Sequence, residues 1–202
     1  MQPTAPFEAP ATDPIHAFAV CVFCGARDGA DPRFLAMARR AGALLAACGA
    51  TVVYGGGSVG MMGALADAAL AEGGEVVGVI PSVLMAREVG HTGLTRQEVV
   101  GDMQLRKQRM IALSDAFLVL PGGLGTLDEL FEVLTLRQLG EHAMPIVAVS
   151  DAGYFDTLAA CLREFVGHGL ARQQDVSALE LFPTVEAALA RLGLLPGPAH
   201  GA

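Results

Sequence analysis

Apolar residues fall along this chain in short, almost unbroken runs, separated by longer stretches in which they recur at helical spacing. The unbroken runs are 17–24, Thr51-Val-Val-Tyr54, Glu75-Val-Val-Gly-Val-Ile80, Ala116-Phe-Leu-Val-Leu120 and Pro145-Ile-Val-Ala-Val149. Runs of this length, continuous rather than alternating, are the mark of strands covered on both faces. Glu98–Val100 and Leu179–Phe182 predict two shorter strands. Helices are predicted between them. Asp31-Pro32 reads as an N-cap followed by proline at the first helical position, with the helix ending near Cys48. Further helices are expected from about Val59 to Ala71, from a cap at Asp102 to Leu113, after the Gly122–Thr126 turn, from Tyr154 to Gly167 behind Ser150 and Asp151, and from Thr184 to Leu192. Alternating strand and helix predicts an α/β fold, doubly wound, with a mostly parallel sheet flanked by helices. The pattern fits a single domain over residues 16–194, between a disordered tail at 1–15 and a frayed tail at 195–202.

Composition narrows the partners. The 202 residues are 52% hydrophobic and carry a net charge of −8. That charge argues against nucleic acid or an acidic membrane as partner, because both call for a basic footprint. The apolar runs are too short to span a bilayer, and the first fourteen residues lack the lysines and arginines of a signal peptide, so the cytoplasm is the expected compartment. Cys21 and Cys24 have the C-x-x-C spelling, but three residues apart in a strand they face opposite sides and read as buried structural thiols. The histidines have no ligand spacing, so no metal is expected.

Candidate chemistry gathers in two glycine turns and one helix. Pro121-Gly-Gly-Leu-Gly-Thr126 follows a strand and leads straight into a helix, which is the arrangement that offers backbone N–H groups to a phosphate. Gly55-x-Gly57-x-x-Gly60 spells a dinucleotide fingerprint. It follows the second strand, however, and Glu75, at the right distance to hold a ribose, lies before the next strand, at the wrong edge of the sheet. A mononucleotide turn is the better reading. Thr126 and Glu129 have the spacing of a capping box, so Glu129 reads either as a cap or as a catalytic carboxylate. Arg106 shares a helical face with Met103 and Met110, and a charge on an inward face needs a partner. Lys107 is the chain's single lysine, beside twelve arginines.

These stretches resemble the LONELY GUY family of cytokinin-activating phosphoribohydrolases, often labelled lysine decarboxylase-like. The family pattern P-G-G-x-G-T-x-x-E is met from Pro121 to Glu129, and M-H-x-R-K appears as Met103-Gln104-Leu105-Arg106-Lys107. Y-G-G-G-x-x-G-x-M-G matches Tyr54 to Gly63, and the likeness extends over roughly residues 17–190. The resemblance implies a Rossmann-like fold, no cofactor, a homodimer or larger assembly, and hydrolysis of the N-glycosidic bond of adenosine 5′-monophosphate, typically N6-prenylated. It places the catalytic pair on Arg106 and Glu129. It places substrate and phosphate contacts on Gly56, Gly57, Glu88, Lys107, Gly122, Gly123, Leu124, Gly125, Thr126, Leu127, Asp128 and Thr135. Gln104, Leu136 and Ala26-Arg27 depart from the family's usual histidine, tryptophan and serine pair. Two alternatives stand beside this expectation. One is a carrier on the same fold that binds a nucleotide-like cofactor of the molybdopterin type without turnover. The other is a pyridoxal phosphate decarboxylase, for which Lys107 is the sole candidate lysine.

Overall fold

The computed structural model describes residues 17–85 and 90–197. The expected tail at 1–15, Glu88 and the last residues of the frayed tail lie outside these. Seven strands form one sheet: β1 (Ala19–Phe23), β2 (Thr51–Tyr54), β3 (Val76–Pro81), β4 (Arg96–Val100), β5 (Ala116–Val119), β6 (Ile146–Val149) and β7 (Leu179–Phe182). They lie in the order β4-β3-β2-β1-β5-β6-β7, and every pairing is parallel. The chain winds outward from β1 to β4, crosses back to pair β5 with the other side of β1, and winds outward again. Ligand crevices in open parallel sheets form where the winding reverses, at the carboxyl ends of the strands. Here that point lies between β1 and β5.

The helices are α1 (Pro32–Ala47), α2 (Gly60–Ala71), α3 (Ser82–Met85), α4 (Met103–Ala112), α5 (Leu124–Gln138), α6 (Asp156–Gly167), α7 (Gln173–Val176) and α8 (Val185–Arg191). Alternate strand residues point to opposite faces. Val20, Val22, Val52, Tyr54, Leu118 and Val147 pack with α1, α2 and α8 on one face. Cys21, Phe23, Val53, Phe117, Val119 and Ile146 pack with α4, α5 and Leu158 of α6 on the other. Cys21 and Cys24 belong to different layers, both buried and both free thiols.

Local chemistry sets the ends of the elements that matter for the site. Asp31 caps α1 by accepting from the Arg33 N–H at 2.9 Å, with Pro32 behind it. Asp102 caps α4 by accepting from Leu105 N–H at 2.8 Å. Farther along α4, the Arg109 guanidinium grips Glu98 of β4 through Nε and Nη2, at 2.5 and 2.8 Å. That grip holds the Glu98 carboxyl below the usual carboxylate range. It also fixes the roll of α4, and so the direction of Arg106 one turn earlier.

Candidate active site

A cavity of about 570 Å³ opens at the carboxyl ends of β1, β2 and β5. The turn after β5 forms one wall. Its Leu120 N–H donates to Phe23 O at 2.9 Å, and Gly25 N–H donates to Pro121 O at 3.1 Å, so the loops after β1 and β5 are stitched together. Gly122 must be glycine: a Cβ there would meet Thr126 Oγ1 at 2.0 Å and the Gly25 nitrogen at 3.0 Å. The Tyr154 hydroxyl, from the loop after β6, donates to Gly122 O at 2.7 Å, and its ring packs edge-on against Phe34.

The capping-box expectation for Thr126 and Glu129 is corrected here. α5 opens at Leu124 with Gly123 as N-cap and no side-chain cap, so Thr126 is already inside the first turn and buried. Glu129 is a turn farther in and cannot reach back to the Thr126 N–H. Two consequences follow for the chemistry. First-turn N–H groups are left for a ligand, and the Glu129 carboxylate is free for another role.

That carboxylate faces Arg106. Arg106 Nη2 lies 3.7 Å from Glu129 Oε1, with both side chains about nine-tenths buried. The guanidinium rests over Gly55 at the end of β2, where a Cβ would fall 1.7 Å from Nη2 and 2.8 Å from Cζ. Arg106 Nε is buried without a hydrogen-bond partner among the described residues. Burial raises the Glu129 pKa to about 7 although Arg106 and Lys107 pull it down, with Asp128 and Glu132 adding to the rise. A carboxyl poised near neutrality beside a fixed cation suits general acid–base work. Cys24 lines the same cavity, but burial, reinforced by Glu129, drives its thiol far up, so it is no nucleophile.

The cavity brings together Arg106, Glu129, Asp128, Gly122, Gly123, Leu124, Gly125 and Thr126 from the expected set. Gly56, Gly57, Leu127, Lys107 and Thr135 do not line it. Gly57 pairs with Gly90 in an isolated bridge, Leu127 packs into the core, and the exposed Thr135 donates to Phe131 O at 2.7 Å. Lys107 Nζ bridges Asp128 at 3.1 Å and Glu132 at 2.6 Å. Burial works against its charge, but the two carboxylates outweigh this and hold the ammonium above its ordinary range. Gly55, Met61, Met62, Met103, Phe34 and Tyr154, all outside the expected set, also line the cavity. Gly-Tyr-Phe at the carboxyl end of β6, beside the glycine turn after β5, was the available signal for Tyr154. Glu75 accepts from Thr51 Oγ1 at the opposite edge of the sheet, away from the cavity.

Fold and cavity together define a class: a parallel α/β protein with a ligand crevice at its switch point, closed by a glycine turn and a buried arginine–glutamate pair. Residues 62–192 match the family described as "Possible lysine decarboxylase". The cytokinin riboside 5′-monophosphate phosphoribohydrolase of Rhodococcoides fascians is 42% identical over 174 residues, covering 86% of this chain and 88% of that protein. One from Arabidopsis thaliana is 41% identical over 79% of this chain and 75% of its own length. The chain belongs to this phosphoribohydrolase family. Among solved structures, the molybdenum cofactor carrier protein of Chlamydomonas reinhardtii matches with a TM-score of 0.68 at 19% identity, over 88% of this chain and 96% of that one. The molybdenum cofactor binding protein of Rippkaea orientalis matches at 0.66 and 21% identity, over 89% and 97%. Those two likenesses are of fold alone.

Proposed function

We propose that the protein hydrolyses the N-glycosidic bond of an adenosine 5′-monophosphate, N6-prenylated by preference, giving the free base and ribose 5-phosphate. The observation that carries this reading is the buried Arg106–Glu129 pair beneath the uncapped start of α5. In this reading the first-turn N–H groups from Gly123 to Thr126 hold the phosphate. Arg106, which lines the cavity, then donates to ribose or phosphate oxygens through its guanidinium. As the C1′–N bond breaks, positive charge grows on the ribosyl centre, and the Glu129 carboxylate stabilises it. Water adds its oxygen to C1′ and gives one proton to Glu129, while the departing purine nitrogen takes up a proton from solvent. Met61, Met62 and Met103 present an adaptable apolar wall suited to a base with a hydrophobic N6 substituent.

The relatives' names and the catalytic pair support turnover over a carrier role, which rests on fold likeness. The state of Lys107 speaks against a literal decarboxylase. Imine formation requires a neutral amine facing the ligand, and this lysine is held charged between Asp128 and Glu132, outside the cavity lining. The apolar side chains exposed on α5 and at its C-cap, Leu124, Phe131 and Leu139, support the homodimer. No helix among the described residues is long and apolar enough to cross a membrane. The test is to incubate the protein with AMP and with isopentenyl-AMP and to measure free base. Release from isopentenyl-AMP exceeding that from AMP is expected. No release from either refutes the hydrolase reading.

A further inference from the structure

Arg27 stands outside the catalytic pair and the first turn of α5. Its loop follows β1 and is clamped on two sides: Gly25 N–H bonds Pro121 O, and a Cβ on Gly60 at the start of α2 would fall 2.5 Å from the Ala26 carbonyl carbon and the Arg27 nitrogen. The backbone that launches Arg27 is thus fixed against the turn ahead of α5 and against the start of α2. The exposed side chain lines the cavity, and among the described residues its guanidinium has no ion-pair or hydrogen-bond partner. The cavity's other charges are matched: Arg106 faces Glu129, and Asp128 faces Lys107. Among the described residues, Arg27 is the uncompensated cation at this site. The protein carries a net charge of −8, so a dianionic ligand approaches against the overall field and depends on local positive groups. An arginine fork matches a phosphate in geometry as well as in charge.

We propose that Arg27 closes the phosphate seat from the side of β1, facing the first turn of α5, and sets the preference for 5′-phosphorylated over unphosphorylated nucleosides. This rests on the nucleotide reading of the cavity, but on binding rather than turnover. The test is calorimetric titration of the full chain and its Arg27→Ala and Arg27→Lys variants with AMP and with adenosine. Arg27→Ala is expected to weaken AMP roughly tenfold and adenosine less than about twofold, and to flatten the dependence of AMP affinity on salt. Arg27→Lys is expected to recover part of the loss. Equal losses for both ligands, or AMP affinity unchanged in Arg27→Ala, would overturn the proposal. Arg27-dependent AMP binding without base release would leave this inference standing while the hydrolase reading falls. Base release with AMP affinity unchanged in Arg27→Ala would do the reverse.

Discussion

Glu129 makes a prediction that couples stability to pH. Its pKa in the folded chain is about 7, against an ordinary 4.5. Below pH 4.5 the carboxyl is protonated whether the chain is folded or not, and it contributes no pH dependence. Between 4.5 and 7 the unfolded chain gives up the proton while the folded chain keeps it, so folding stability falls with rising pH. Above 7 both states are ionised and the penalty is complete. At about 1.4 kcal/mol per pH unit, the full penalty is about 3 kcal/mol. Glu129→Gln has the same shape and does not titrate, so it escapes this loss. Urea unfolding of the two proteins at matched concentration, from pH 5 to pH 8, should show the variant gaining about 2–3 kcal/mol on the wild type across the range. That corresponds to a midpoint shift of about 1 M urea. Contributions from other titrating groups cancel in the difference. The same variant should bind AMP yet release no base, and wild-type kcat/KM should rise with pH through about 7 as the base ionises. Parallel stability profiles for the two proteins would refute the claim that Glu129 is held in a carboxyl-raising pocket. Unchanged turnover in the variant would refute its catalytic role.

Two further substitutions separate the parts of the site. Gly55→Ala places a methyl where the Arg106 guanidinium now lies. The clashing atoms are the far end of a flexible side chain that borders the cavity, so the fold should persist by circular dichroism while kcat drops roughly 10–100-fold, about 1.4–2.7 kcal/mol in the barrier; wild-type kcat would show that the guanidinium need not sit there. Tyr154→Phe removes the bond to Gly122 O, worth about 1 kcal/mol. Steady-state kinetics should show a roughly fivefold rise in KM for the monophosphate with little change in kcat, and an unchanged KM would mean the turn is held by its stitching to β1 alone.

Much of the fold was legible because its strands are buried on both faces. The runs Thr51–Tyr54 and Leu179–Phe182 coincide with β2 and β7. Strand order was not legible, because pairing β5 with β1 is a contact between distant stretches that no local pattern encodes. α3 and α7, four residues each, are too short to show a period. At the site, Arg106 and Glu129 were visible as charges that needed reasons to be buried. Thr126 misleads because Thr-x-x-Glu looks like a helix start, whereas the helix opens three residues earlier, with Gly123 as its N-cap. Lys107 was grouped with Arg106 by adjacency. Consecutive helical residues point about 100° apart, and Lys107 accordingly meets Asp128 and Glu132 on α5 instead of the cavity.

The placement of β1 at the centre of the sheet governs how the chain can assemble. β1 is the first strand described, and it has β2 as a close neighbour in sequence. Its other edge must wait for β5: the Ala19 N–H meets the Asp115 carboxylate across 96 residues. Parallel pairings of such long separation form slowly. While the chain is being made, β1 to β4 can associate early, and the outer edge of β1 then stands bare as a template for the wrong strand. The cavity lies on that same edge. The cleft thus cannot exist until β5 and the start of α5 have joined β1, and until then the bare edge of β1 is open to aggregation.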